Sequence, residues 1–217
     1  MRRIKALPLL VITAIVGAAL VAPAGASAVE WHGGELEKGK PGPIELNGPM
    51  KFELFGSGFT CPVHAAGTLS SGSKGEITEF DVDGTGGSKC SPTPGGTYKN
   101  CVITGTGTAP LSLELKSAEE ILLTKPKNKA GFTDKILWTW DFENKAGKAC
   151  PQSPYTWKIK ADLRLHPVSN GGFWSGVEIF GTVELLQYNE KGELSSQSTV
   201  GFSGEWAVTP KNTYTIF

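Results

Sequence analysis

The sequence has no bias of charge, since its 217 residues include 21 basic and 21 acidic side chains. Proteins that bind nucleic acids usually carry a basic stripe that displaces counterions from phosphate, and no such stripe is present in the sequence. One group of lysines surrounds a proline, an asparagine and a glycine without interleaved aromatic residues, which is typical of a solvated loop. These lysines are Lys125, Lys127, Lys129 and Lys135. The charge pattern therefore gives no reason to expect a nucleic-acid partner.

Long hydrophobic runs are also scarce. The one uncharged stretch, residues 6–22, follows three basic residues and ends at Pro23 and an Ala-Ser-Ala triplet. This pattern is typical of a cleaved export signal, and the proline disfavours a retained membrane anchor. We expect a signal helix over residues 1–28 and an exported domain over residues 29–217, with no later segment long enough to span a bilayer. Removal of the signal leaves 18 basic and 21 acidic side chains, a formal net charge of −3.

Cysteine is limited to four residues, Cys61, Cys90, Cys101 and Cys150. An even number of cysteines in an exported chain predicts two disulfides, for which three pairings are possible. We favour Cys90 with Cys101, because the short segment between them is rich in turn-forming proline and glycine, and Cys61 then pairs with Cys150. No metal site is expected from these residues.

Helical periodicity is nearly absent from residues 29–217, and apolar residues alternate with polar ones instead. The clearest alternation runs over residues 155–166, as in a strand buried on one face. Residues 117–123 carry a helix-capping pattern, although their apolar residues fit a strand equally well. Glycine- and asparagine-rich turns separate nine or more such segments. We predict a single antiparallel β-sandwich, with a β-barrel as the second choice, because every apolar strand face must be covered.

Several enzyme classes lack their characteristic residues. No serine is flanked by glycines as a nucleophile elbow requires, and an even cysteine count leaves no free thiol. Glu178 and Glu184 share one strand face about 20 Å apart, whereas a glycosidase pair needs about 5 to 9.5 Å. Asp141 and Glu143 alternate with buried aromatics, as a solvent face does. A carboxylate pair assembled across neighbouring strands stays open.

The sequence also argues against two possible metal sites. Cys61 and His64 have an odd spacing, which places them on opposite faces of a strand, and a disulfide is the more typical state of an exported cysteine. Residues 81–84 resemble the start of a calcium loop but lack its third acidic position and distal glutamate, so we predict an Asp-Gly turn. We expect no cofactor.

The candidate binding residues are aromatic. Phe173 and Trp174 follow Asn170 and two glycines in a predicted connection, where large rings on a β-scaffold can stack on sugars or anchor a partner. The alternative is that these rings fold over the edge of the sheets and join the core. The other tryptophans within the predicted strands alternate with polar neighbours and are predicted to be core residues. They are Trp138, Trp140, Trp157 and Trp206.

The middle of the chain contains the segments 61–69 and 80–82, then Cys90 and the segment 101–105, and residues 208–210 and 213–214 lie near the end. In these segments the chain resembles a group of uncharacterised exported proteins from high-GC Gram-positive bacteria. The resemblance implies a β-rich exported domain and carries over no catalytic residues. The export signal, the β pattern and the absence of a catalytic constellation lead us to expect a secreted or cell-surface protein without catalytic activity that binds a glycan or another surface component. A secreted carbohydrate-active hydrolase and a purely structural surface protein are the alternatives.

Overall fold

The computed structural model of the protein describes residues 29–54, 57–82, 89–127, 135–211 and 213–217. The described residues form 14 β-strands and one short 3₁₀ helix, which covers Gly34–Lys38. The strands are β1 (Trp31–His32), β2 (Gly42–Leu54), β3 (Ser57–Leu69), β4 (Lys74–Asp81), β5 (Ser91–Pro92), β6 (Cys101–Gly107), β7 (Leu111–Ser117), β8 (Glu120–Thr124), β9 (Ile136–Asn144), β10 (Thr156–Lys160), β11 (Leu163–Asn170), β12 (Phe173–Tyr188), β13 (Leu194–Thr209) and β14 (Thr215–Ile216). The expected signal helix over residues 1–28 lies outside these ranges. Within them, no helix is long and apolar enough to cross a membrane.

Eight strands form a closed antiparallel barrel. They follow one another around the ring in the order β11, β8, β7, β4, β3, β2, β13 and β12, and the pairing of β12 with β11 closes it. The predicted all-β class is confirmed. The architecture is the barrel, the second predicted choice, in place of the sandwich. Closure gives the backbone groups of every strand in the ring a partner on both sides, which an open sandwich cannot do at its edges.

The long strand β12 connects the barrel to a second part of the sheet. Its first half pairs with β11, while its second half pairs with β10, which continues into β9 and β6. Gly181 lies between the two halves with a φ of 144°, a conformation that side chains with a Cβ rarely adopt. A bridge between Cys90 and Ile103 brings β6 back towards β3, which pairs with β5. The second part of the sheet therefore curls towards β2 and β3, and its buried side chains belong to the same core cluster as those of the barrel.

The part of the core that β9 and β10 cover is built from aromatic rings contributed by several strands. Trp140 lies at its centre, with ring centroids 4.2 Å from Phe52 and 4.9 Å from Phe59, both in edge-to-face geometry. Such pairs are stabilising because the positive edge of one ring faces the negative face of the other. Trp138, Trp140, Trp157 and Trp206 are all at most 1% exposed, which confirms their prediction as core residues.

Tyr98 provides a pH-dependent test of this aromatic core. Its side chain is 3% exposed, and burial raises the pKa of its hydroxyl from 10 to about 12. Between these two pH values the unfolded chain loses the proton and the folded chain keeps it, so the free energy of unfolding falls as pH rises. Below pH 10 this contribution is constant. We expect urea denaturation from pH 9 to 12 to show a shallower decline for Tyr98→Phe than for the wild-type protein, and equal slopes would contradict the assignment.

Two disulfides are present, and their pairing differs from the prediction. Cys61 is bonded to Cys90 and Cys101 to Cys150, with Cα–Cα distances of 4.1 and 4.8 Å. The predicted Cys90–Cys101 and Cys61–Cys150 pairs are therefore wrong. The register of β3 with β5, in which Thr60 lies opposite Ser91, brings Cys90 opposite Cys61. Strand pairing thus decides the connectivity, and the short loop between Cys90 and Cys101 does not.

Residues 117–123 form a hairpin and not the candidate helix. The strand β7 ends at Ser117, and β8 begins at Glu120 with the opposite direction. The Ser117 hydroxyl accepts a hydrogen bond from the backbone N–H of Glu119 at 3.2 Å. The serine therefore caps a turn between strands, which its preference for local backbone hydrogen bonds also allows.

Candidate functional site

Trp174, one of the predicted binding residues, belongs to the core. Its side chain is 0% exposed, and its indole N–H donates a hydrogen bond to the carbonyl of Gly176 at 2.7 Å. Its ring centroid lies 4.8 Å from that of Trp31 in the terminal strand β1, and its backbone N–H donates to the carbonyl of Tyr214. The chain termini thus cover Trp174. The prediction that the Trp174 ring is exposed is therefore wrong. Its position matches the alternative, in which the ring folds over the edge of the sheet and joins the core.

Asn170 and Phe173 lie at the turn between β11 and β12. Asn170 is exposed, and Phe173 is 38% exposed. They are opposite each other in the strand register, and the turn between them contains Gly171 and Gly172, both with positive φ. These two residues remain accessible, but without the Trp174 ring they form no aromatic platform.

A different surface of the barrel carries a shallow, open depression. We call it the outer cleft; it has a volume of about 470 Å³ and lies on the outside of β2, β3, β12 and β13. Its lining residues are Pro49, Lys51, Thr60, Glu178, Ile179, Phe180, Ser203, Gly204 and Glu205. A neighbouring side cleft of about 310 Å³ shares Pro49, Glu178 and Glu205 with it. The shared residues make the two clefts one continuous groove.

The groove lies where the backbones of β2 and β13 approach closely. A Cβ atom added to Gly48 would lie 2.1 Å from the carbonyl oxygen of Glu205 and 2.8 Å from the Cα of Trp206. Pro49, the next residue, has no N–H to donate to the facing strand. Glycine is therefore required at position 48, and the missing side chain contributes to the depth of the groove.

An exposed aromatic ring forms one wall of the outer cleft. Phe180 is 59% exposed, although it lies in the middle of a strand. The imidazole of His166 stacks on it with a centroid distance of 4.7 Å and an interplanar angle of 10°. This stacking fixes the orientation of the Phe180 ring. A large apolar ring held open to water in this way is typical of a binding surface.

Two carboxylates lie next to this ring on adjacent strands. Glu178 and Glu205 are directly opposite each other in the register of β12 and β13, and both are exposed. Like charges directly opposite in a sheet are destabilising. Departures of this kind from local sequence rules are expected at functional or strained sites. Glu184, the partner considered from sequence, instead forms an ion pair with Lys160 at 3.1 Å.

The side cleft adds amide and hydroxyl groups. Asn47, one of its lining residues, hydrogen-bonds through Oδ1 to Nδ1 of His64 at 2.6 Å. This contact restrains the Asn47 side chain. Ser175 also lines the side cleft and donates a hydrogen bond from its hydroxyl to the carbonyl of Val168. The groove therefore combines one apolar ring with several hydrogen-bonding groups.

The described residues contain no candidate metal site. No group of three or more His, Cys, Asp or Glu side chains in them could hold a metal ion. Asp83 and Gly84 of the sequence segment that resembles a calcium loop lie outside the described residues, so the predicted Asp-Gly turn stays a prediction.

No protein-family model, curated protein or solved structure matches the chain. The groove itself is therefore the basis for a function. Neither Phe180 nor Glu205 was among the site residues predicted from the sequence. Phe180 could have been selected from the sequence, because it is an apolar residue at a position of β12 where the alternation predicts a polar one. Nearby buried positions of this strand are Ile179 and Val183. The pairing of Glu205 with Glu178 could not be predicted from the sequence, because it depends on the register of β12 with β13.

Proposed function

We propose that the protein is an exported, non-catalytic protein that binds a neutral glycan in the groove formed by the outer and side clefts. Support for export comes from the sequence pattern of residues 1–28 and from the two disulfides, which are typical of an oxidising, non-cytoplasmic environment. The observation that carries the proposal is the exposed Phe180 ring, stacked on His166 beside Glu178 and Glu205.

The chemistry of the groove favours a polyhydroxylated ligand. The C–H faces of sugar rings pack against an aromatic ring, and their hydroxyl groups donate hydrogen bonds to carboxylates, which only accept them. The lining of the outer cleft includes Glu178, Glu205 and a single cation, Lys51. Because its charge is negative on balance, the outer cleft disfavours a polyanion.

The shape of the groove favours a chain over a single sugar. The outer and side clefts extend along β12 from Phe180 to Ser175, which are five residues apart. At about 3.3 Å per residue this distance is roughly 16 Å, enough for several linked sugar units. The groove is open along its length, so a polymer can pass through it without threading an end.

Phe180→Ala is expected to weaken glycan binding by about two- to tenfold while leaving the protein folded. Removal of the ring eliminates one stacking contact of about 0.5 to 1.5 kcal/mol, and an exposed ring contributes little to the core. Binding is measured by isothermal titration with cellohexaose and chitohexaose, and by pull-down with purified bacterial cell wall. Leu194→Ala is the matched control, because Leu194 is 53% exposed on β13 and does not line the outer cleft.

Equal affinity of the Phe180→Ala and Leu194→Ala variants would exclude the outer cleft as the glycan site. Absence of binding to all three probes would favour the purely structural alternative. Trp174→Ala is expected to lower the denaturation midpoint, because this side chain is buried, and a loss of binding in that variant reports on folding alone.

The same titrations test the hydrolase alternative, which has one specific observation in its favour. Directly opposed cross-strand residues such as Glu178 and Glu205 have Cβ atoms about 4.5 to 5.5 Å apart. Side chains on such neighbouring Cβ atoms can bring their carboxyl groups to the separation of about 5 to 5.5 Å that retaining glycosidases use. Release of reducing sugar that is lost in both Glu178→Gln and Glu205→Gln would establish the hydrolase. Binding without product release supports the non-catalytic proposal.

A further inference from the structure

We propose that a second surface, separate from the groove, binds phosphate groups of an anionic polymer. This lysine cleft has a volume of about 430 Å³ and lies beside β4, β7 and β8. Four lysines line it: Lys74, Lys125, Lys127 and Lys135. The sequence alone places three of them in one solvated loop. The fold adds Lys74 from β4, about fifty residues earlier in the chain, so four lysines from two parts of the chain line one concave surface.

The lysine cleft carries more positive than negative charge. Its lining includes two carboxylates, those of Glu114 and Asp162. Asp162 is paired with Lys135, and Glu114 is paired with Lys116, which lies outside the lining. Lys74 and Lys127 form no ion pair with any residue in the described ranges. Residues 29–217 as a whole have a formal net charge of −3, so the charge of the lysine cleft is opposite in sign to that of the whole domain.

The type of cation and the neighbouring groups favour phosphate. All four basic residues are lysines, whose ammonium groups act as point charges and are common ligands of phosphate groups. Ser112 and Thr124, which are opposite each other in β7 and β8, add two hydroxyl donors to the lining. Lys74 and Lys127, together with these hydroxyl groups, line an open surface that can contact more than one phosphate. A polymer with phosphate in each repeat therefore fits better than a single ion.

The test uses sodium tripolyphosphate as the probe and isothermal titration of the purified protein at low ionic strength. We expect binding that weakens as salt is added and that is about tenfold weaker in the double variant Lys74→Gln/Lys127→Gln. Lys99→Gln/Lys211→Gln is the matched control, since it removes the same charge from exposed lysines outside the lysine cleft, and its affinity should stay within twofold. Lys74→Arg/Lys127→Arg should retain most of the affinity, because the charge is kept.

Three results would overturn the proposal. Undetectable binding of tripolyphosphate would exclude the site. If the affinity falls equally in the two double glutamine variants, the binding is a non-specific attraction to positive charge. Equal or tighter binding of a sulfated oligosaccharide of matched charge would exclude the preference for phosphate. Because the glycan titrations use neutral probes and a different surface, they can fail without affecting this outcome, and the reverse also holds.

Discussion

The double variant Cys101→Ala/Cys150→Ala is expected to lose about 4 kcal/mol of unfolding free energy. This disulfide closes a loop with a sequence separation of 49. On the loop-entropy model its removal restores freedom to the unfolded chain that corresponds to about 4.1 kcal/mol. That loss is a large part of the 5 to 15 kcal/mol typical of folded domains. The measurement is equilibrium denaturation in urea under non-reducing conditions, with the wild-type protein alongside.

The second disulfide supplies the matched comparison for this prediction. Cys61 and Cys90 have a sequence separation of 29, so the same relation gives about 3.6 kcal/mol for Cys61→Ala/Cys90→Ala. Removal of either bridge should also increase the denaturant dependence, because a less constrained unfolded chain exposes more surface. A loss below about 1 kcal/mol in both variants, with unchanged denaturant dependence, would show that these bridges do not constrain the unfolded chain.

The strands were largely predictable because each has one buried face. Alternating apolar residues identify an individual strand whatever its partners are, as with Trp157 and Ile159 in β10. The closure of the barrel was not predictable in the same way. It depends on β12 pairing with β11 along one half and with β10 along the other, and alternation does not encode a change of partner.

The disulfide pairing failed for a similar reason. The choice of Cys90 with Cys101 relied on proximity along the chain and on a turn-forming loop. In the fold, Cys101 begins β6 opposite Asn144 at the end of β9, and the Asn144 side chain accepts a hydrogen bond from the backbone N–H of Cys150. Partners that are distant in sequence were therefore brought together by sheet register, as also happened for Cys61 and Cys90.

The candidate site shows how much of a functional site can be predicted from one sequence. The exposed ring of Phe180 was accessible to sequence reasoning, since a large apolar residue occupies a polar position of its strand. The two carboxylates beside it were visible only as separate glutamates, because the register that makes Glu178 and Glu205 opposite each other joins strands across a long hairpin. The choice of Trp174 as a surface ring failed because the terminal strands β1 and β14, which cover it, are too short to give a clear pattern.

Trp140→Ala is expected to destabilise the protein by about 3 to 5 kcal/mol, the range for deletion of a buried large aromatic side chain. The side chain is 0% exposed, and its ring contacts those of Phe52, Phe59 and Trp138. Because these three neighbours come from β2, β3 and β9, the cavity cannot be filled by a shift of one strand. Urea denaturation followed by circular dichroism measures the loss.

Trp140→Phe separates packing from hydrogen bonding at the same position. The indole N–H of Trp140 has no hydrogen-bond partner among the described residues, so its replacement by a ring without a polar atom removes a buried unpaired donor. The smaller phenyl ring loses some contact area but leaves a much smaller cavity, and we expect its cost to be well below that of Trp140→Ala. Equal destabilisation by the two variants would mean that the indole N–H is bonded in solution and that the ring is not held by packing alone.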